Sequence, residues 1–228
     1  QLSSDVSQIF STDYAFAAVK NDGSVVTWGE SVYGGDSSRV ADQLSSGVNQ
    51  IFSTESGFAA LKGDSSVVSW GLYVGDGGYV LGSSVADQLS SGVSKISSTD
   101  YAFAAIKDDG SVVAWGVNMR GGNSSSVADQ LSSGVKQIFA NKRAFAALKD
   151  DGSVITWGRS DRGGDSSNVA DQLSSGVNQI FSTDGAFAAV KDDGSVVTWG
   201  SSSYGGDSSN VDFDGPNNDL TVVGFANP

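Results

Sequence analysis

One pattern of apolar and polar positions returns five times along the chain. In its first form it runs VSQIFSTDYAFAAVKNDGSVVTWG, from Val6 to Gly29. The opening VSQIFST alternates, which predicts a strand with Val6, Gln8 and Phe10 on one face and Ser7, Ile9 and Ser11 on the other. AFAAVK, Ala15 to Lys20, is an almost unbroken apolar run, as a strand buried on both faces requires. NDGS then supplies a tight turn, because Asp-Gly accommodates positive φ. SVVTWG follows as a third strand. The segment RVADQL, Arg39 to Leu44, leaves two readings open: a short fourth strand at the outer edge, or a turn of helix.

The period fixes the architecture. Trp28, Trp70, Trp115, Trp157 and Trp199 are spaced 42, 45, 42 and 42 residues apart, and the three extra residues fall in one loop, Leu72 to Gly82. QLSS keeps the same register at Gln1, Gln43, Gln88, Gln130 and Gln172. Three to four short antiparallel strands repeated at this interval predict an all-β, five-bladed β-propeller. A solenoid has shorter rungs, and a sandwich gives no reason for five near-identical units. The expected repeats are 1–42, 43–87, 88–129, 130–171 and 172–213, with a non-repeating tail at 214–228. Gln1-Leu2 is the end of a VADQL element and Val211-Asp212-Phe213 the start of one, so the termini are expected to complete one unit and close the ring. DLTVVGF, Asp219 to Phe225, reads as an extra strand or the start of a neighbouring domain.

The copies agree in their strands and differ in two segments. One follows the first strand: Asp13-Tyr14, Glu55-Ser56, Asp100-Tyr101, Lys142-Arg143, Asp184-Gly185. The other follows Trp-Gly: ESVY from Glu30, LYVGDGGYVLG from Leu72, VNMR from Val117, RSDR from Arg159, SSSY from Ser201. With alternating strand direction both segments fall on one face of the ring. Their Tyr and Arg content suits a recognition surface, although exposed loops also vary where nothing packs on them. The candidate partner-binding residues are Tyr14, Glu30, Tyr33, Glu55, Tyr73, Tyr79, Tyr101, Asn118, Met119, Arg120, Lys142, Arg143, Arg159, Asp161, Arg162 and Tyr204. Basic residues in units three and four face acidic Glu30, Glu55 and Asp76 in units one and two, which would give a dipolar rim able to orient an acidic partner.

Composition then removes whole classes of function. The 228 residues contain neither Cys nor His, so disulfides, thiolate or imidazole metal sites and His-dependent triads are excluded. A net charge of −13 disfavours nucleic acid. No apolar run approaches ~20 residues, so no membrane insertion is expected. The Asp-Gly turns lack the periodic carboxylates of a calcium loop, and the GGDSS stretches lack the Lys and helix of a phosphate loop. No acid pair stands out as catalytic. Neither an enzyme, a metal site nor a cofactor is expected. Gln1 in place of Met reads as a mature or excised piece, and acidic charge with high Ser and Gly fits a secreted or cell-surface bacterial protein.

Ala60-Leu61, Asp151-Gly152, Trp157-Gly158 and Gly163-Gly164 stand where the regulator of chromosome condensation family carries Ala-Leu-x-x-Asp-Gly, Val-x-x-Trp-Gly and a Gly-rich turn. The resemblance covers residues 1 to 211. The units are similar to the compact bacterial versions of that repeat, among them a propeller-type β-lactamase inhibitory protein. The resemblance implies a β-propeller and protein–protein recognition, with enzyme inhibition as one precedent. It departs in number, because the best-known members have seven blades. The expected function is a monomeric, non-enzymatic module that binds a protein through one loop face. Carbohydrate binding by a lectin-like propeller and a structural repeat in a large surface protein are the alternatives.

Overall fold

A computed structural model describes residues 5–71 and 85–211. They form five separate three-stranded antiparallel sheets, the blades of a five-bladed β-propeller. The first blade consists of β1 (Val6–Ser11), β2 (Ala15–Lys20) and β3 (Val25–Gly29), and the second of β4 (Val48–Ser53), β5 (Gly57–Lys62) and β6 (Val67–Gly71). The third holds β7 (Val93–Ser98), β8 (Ala102–Lys107) and β9 (Val112–Gly116), and the fourth β10 (Val135–Ala140), β11 (Ala144–Lys149) and β12 (Val154–Gly158). The fifth holds β13 (Val177–Ser182), β14 (Ala186–Lys191) and β15 (Val196–Gly200).

The first strand does not keep strict alternation. Its register against the second strand shifts between Val6 and Gln8, and the same irregularity recurs at Val48, Val93, Val135 and Val177. A bulge of this kind inserts one residue and reverses the side-chain phase beyond it. The buried positions are therefore Val and Ile three residues apart, such as Val48 with Ile51, and not Val with Phe.

The RVADQL segment is not a fourth strand. Ser38–Val40 forms a 3-10 turn that continues through Leu44, whose N–H donates to the Val40 carbonyl at 3.1 Å. Asp36 starts it by accepting from the Ser38 N–H at 2.9 Å, a local bond that competes with extended structure. Leu44, Leu89, Leu131 and Leu173 are buried at its end. The Leu44 carbonyl accepts from Val25 N–H at 3.0 Å, so the turn is pinned to the start of the third strand. The lysine ending the next blade's second strand fastens the same turn, with Lys62 Nζ donating to the Gln43 carbonyl at 2.7 Å. This explains why QL and the strand-final Lys repeat together. The proposed closure through Gln1-Leu2 and Asp212-Phe213, and the DLTVVGF strand, lie outside the described residues.

The core is a series of junctions between neighbouring blades. Each of the four buried apolar clusters joins two consecutive blades. Phe58 stacks on Trp70 at 5.2 Å across β5 and β6, and Phe145 on Trp157 at 5.1 Å across β11 and β12. Trp157 Nε1 donates to the Gly121 carbonyl of the preceding blade at 3.0 Å. Gly121 has φ 103°, and a Cβ there would lie 2.5 Å from the Phe145 ring. Glycine is required at that position both for its left-handed backbone and for the ring above it.

Two outcomes follow for stability. Trp157→Ala should lower unfolding free energy by about 3–5 kcal/mol, as removal of a buried large aromatic does, and Trp28→Ala, at the half-buried position of the first blade, by less than half as much. Chemical denaturation of both variants checks this. In the second blade Ser65 occupies the turn position where other blades have Gly and sits at φ 63°; Ser65→Gly should raise stability by about 1 kcal/mol by removing left-handed strain, read as an upward shift of the denaturation midpoint.

Candidate functional site

At one end of the blades the first strands converge on an open cavity of about 580 Å³, lined by residues 11–13, 53–55, 98–100, 140–142 and 182–184. Each step is the exit of a first strand. Neighbouring exits are joined by backbone hydrogen bonds: Asp13 N–H to the Glu55 carbonyl at 3.3 Å, Glu55 N–H to Asp100 at 2.8 Å, and Asp100 N–H to Lys142 at 3.1 Å. Between the fourth and fifth blades an ion pair makes the link, Lys142 Nζ to Asp184 at 2.7 Å.

One position, Thr or Asn, fastens the two variable segments together. The Thr12 hydroxyl donates to the Tyr33 carbonyl at 3.1 Å, Thr99 to Arg120 at 3.0 Å and Thr183 to Tyr204 at 2.8 Å. Asn141 does the same in the fourth blade, its Nδ2 donating to the Arg162 carbonyl at 2.7 Å. The segment after Trp-Gly is thus tied, in these blades, to the first-strand exit that lines the cavity. The Asp-Gly turns are at the other end of the strands.

The rim residues differ in what they offer. Tyr14 is 60% exposed and Met119 78% exposed; Tyr14 leans on Tyr33 with ring centroids 4.5 Å apart. Glu30, Asn118, Lys142, Asp161 and Tyr204 are exposed. Arg120 lies over the Tyr101 ring at 4.3 Å. Arg159 is held by Asp161 at 2.6 Å, which keeps that carboxyl below its usual range. Arg162 reaches into the fifth blade and stacks over Tyr204 at 4.5 Å. It passes Gly185, where a Cβ would lie 2.7 Å from its guanidinium. The glycine in place of a tyrosine at that step makes room for the arginine of the preceding blade. Tyr73, Tyr79 and Asp76 lie outside the described residues.

The simple dipole expected from the sequence is altered by this packing. Lys142 and Arg159 are paired with acids, and Arg120 and Arg162 cover tyrosine rings. The acids that face the cavity include Asp13, Asp100 and Asp184, which were absent from the sequence candidates. Each lies in the variable segment after the first strand, from which the sequence singles out Tyr14, Glu55, Tyr101, Lys142 and Arg143 instead. Burial and the nearby Glu55 raise the Asp100 carboxyl to about 6, against the opposing fields of Lys142, Arg120 and Arg143. A hydrogen bond to Glu55 and burial push the Tyr101 hydroxyl up to about 12. Among the described residues no cluster of three or more Asp and Glu is arranged to hold a metal, and no helix is long and apolar enough to cross a membrane.

The GGDSS stretches do not form an anion cradle. In each of the four complete sites the Asp or Asn side chain already accepts the following Ser N–H at 2.9 Å. The Trp residues of blades two to five are buried in the junctions and cannot stack on a sugar.

The fold and its rim define a β-propeller with loops gathered at one end. Its architecture is RCC1-like. Prp20p from Saccharomyces cerevisiae, studied for its binding to Gsp1p and histones, is similar with a TM-score of 0.52 and 16% identity, over 86% of this chain and 57% of that one. Yeast RCC1 (Prp20) bound to Kap60 gives 0.51 and 16%, over 86% and 56%. Human WBSCR16 gives 0.50 and 18%, over 86% and 61%. The chain therefore spans about 60% of the length of these structures. No family model matches the sequence, and no curated protein does.

The raised Asp100 gives a pH test. Its folded-state value of about 6 lies above the ordinary 3.8, so the folded state holds this proton more tightly than the unfolded state. Its contribution to stability is largest at low pH and falls as pH rises between those values. Asp100→Asn should therefore stabilise the protein at pH 7.5 by about 1 kcal/mol, the full linkage being reduced by solvent screening. The gain over wild type should fade as pH approaches 4, followed by melting at a series of pH values.

Proposed function

We propose that this propeller is a non-enzymatic protein-binding module that engages its partner through the rim formed by its two sets of variable loops. The observation that carries the reading is the coupling of constant and variable parts. A Thr or Asn at the wall of the cavity ties the loop after the first strand to the loop after Trp-Gly in four blades. Such an arrangement presents different side chains from each blade on a common support. Solvent-facing Tyr14, Met119 and Tyr204 supply apolar contact, and acids and paired bases supply polar contact. Tyrosine and arginine are frequent centres of binding energy. The likeness to structures of Prp20p, studied for binding Gsp1p and histones, and of RCC1 bound to Kap60 supports a binding role of this class.

A lectin would need the same pocket in each blade. The rim steps here carry Tyr14, Tyr101, Arg143 and Gly185 at equivalent positions, which favours one asymmetric footprint on a protein over several equal sugar sites. The acidic cavity favours a partner that brings a basic side chain toward the axis and keeps its apolar contacts for the outer rim.

The test is alanine replacement of Tyr33, Tyr101, Arg143, Arg159 and Tyr204, one at a time, against a partner captured by the protein. At least one variant should weaken binding about tenfold, close to 1.4 kcal/mol, with an unchanged melting temperature. Asp109→Ser and Asp193→Ser, at the opposite turns, should bind as wild type. Loss of binding in the turn variants together with none in the rim variants would reject this face.

A further inference from the structure

The segment that follows Trp-Gly ends in a short turn, and the third blade builds that turn from different residues. In the first, fourth and fifth blades an aspartate opens it: Asp36, Asp165 and Asp207 each accept the backbone N–H of the serine two residues on at 2.9 Å. In the third blade the residue is Asn123, whose Oδ1 accepts the Ser125 N–H at the same 2.9 Å. The turn needs one side-chain oxygen and takes it from either residue type. What the exchange adds is the amide Nδ2, which belongs to an exposed side chain and makes no hydrogen bond among the described residues. A second departure lies against the first. Thr27, Thr156 and Thr198 donate hydroxyl hydrogen bonds to Ser37, Ser166 and Ser208 at 2.9–3.0 Å, which ties the turn to the third strand. The third blade has Ala114 at that position, with no hydroxyl to offer Ser124. An open groove of about 560 Å³ runs along this part of the blade, with Ala114, Gly122, Asn123, Ser124 and Ser125 in its wall.

We propose that Asn123 is a modification site, the acceptor of an asparagine-linked glycan. Asn123-Ser124-Ser125 is the one place in the 228 residues where an Asn is followed two positions on by Ser or Thr. That pattern is what a glycan transferase reads, and it marks a surface loop. The structure supplies the rest: a solvent-facing Nδ2, an exposed Ser125, and a groove with room for the first sugars. The donor is an oligosaccharide carried on a polyprenyl pyrophosphate. A bond forms between Nδ2 and the anomeric carbon of the first sugar, and the bond from that carbon to the pyrophosphate oxygen breaks. The lipid pyrophosphate leaves with the electron pair, and the proton lost from Nδ2 passes to a base on the transferase. The Asn123 carbonyl oxygen takes no part, so it keeps the Ser125 N–H and the turn survives the reaction. A glycan here adds bulk and solubility at a residue that does not line the axial cavity. The site therefore stands apart from the protein-binding reading of the rim. It requires the secreted route expected from the composition, where the lipid-linked donor is met.

Mass spectrometry of the protein isolated from its own source tests the proposal. Oligosaccharide is expected on Asn123, and an amidase that removes N-linked glycans should leave Asp at that position. Secretion of the full chain from a host that glycosylates then assigns the residue. Wild type and Ser125→Thr should carry the sugar, and Asn123→Asp and Ser125→Ala should not. Both of the latter variants keep the turn, since Asp supplies the same oxygen and residue 125 contributes only its backbone N–H. Their melting temperatures should therefore match that of the wild type after sugar removal, which separates loss of the acceptor from loss of the fold. A bare Asn123 in the source protein would overturn the proposal, as would sugar that persists in either Asn123→Asp or Ser125→Ala.

Discussion

The contact on which the rest depends is the lock between a left-handed glycine of one blade and an aromatic pair of the next. Gly34, Gly121 and Gly163 each lie beneath a phenylalanine ring, and their carbonyls accept the indole N–H of Trp70, Trp157 and Trp199 at 3.0–3.1 Å. A side chain at the glycine would lift the ring and break the indole bond together. The lock explains why Trp-Gly and Gly-Gly recur at fixed spacing although different blades supply the two halves. It also sets the distance between blades, and with it the width of the cavity on the axis. The five first-strand exits reach that cavity because each blade is held at the same step from its neighbour.

The strands and their grouping were legible because hydrophobic burial is written directly into the pattern. GFAALK, AFAAIK and AFAALK are apolar on both sides, and the inner blades place each of them between two strands and two neighbouring blades. Two features were not legible for definite physical reasons. The bulge at Val6 to Gln8 exchanges two residues for one without changing composition, so alternation alone cannot reveal it. RVADQL is short and carries a single β-branched residue, which leaves its conformation open to local bonds, and the deciding influence is the Asp36 side chain, which takes the Ser38 N–H before a strand can. The steps holding Asp13, Asp100 and Asp184 fall on one face in the sequence, but their meeting around one cavity is not legible there, because it is created by the convergence of blades far apart in sequence.

The candidate rim divides in a way that residue type did not reveal. Arg120 and Arg162 look like free cations in the sequence. In the fold each covers a tyrosine, and Arg162 does so across a blade boundary through space left by Gly185. Variation at one rim position is therefore linked to variation at another, since Arg162 and a tyrosine at 185 would compete for the same volume. Part of the loop diversity is packing between neighbouring loops, and part is presented to solvent. Tyr14 and Met119 belong to the second group and are the stronger candidates for direct contact.

This division bears on how such a surface changes while the blades remain intact. The Thr and Asn anchors hold loop carbonyls, which every residue possesses, so the side chain at the anchored position is unconstrained by the anchor. Tyr33, Arg120, Arg162 and Tyr204 all satisfy the same bond through their backbone. The blade thus fixes the path of the loop and leaves its chemistry open. The terminal blades obey the same principle in reverse. Their strands are as regular as those inside the array, but the side chains that a neighbour would cover, Phe16 and Ile9 among them, remain in solvent. Regularity of the backbone is set within a blade, whereas burial is set between blades, and the two separate at the first and fifth units.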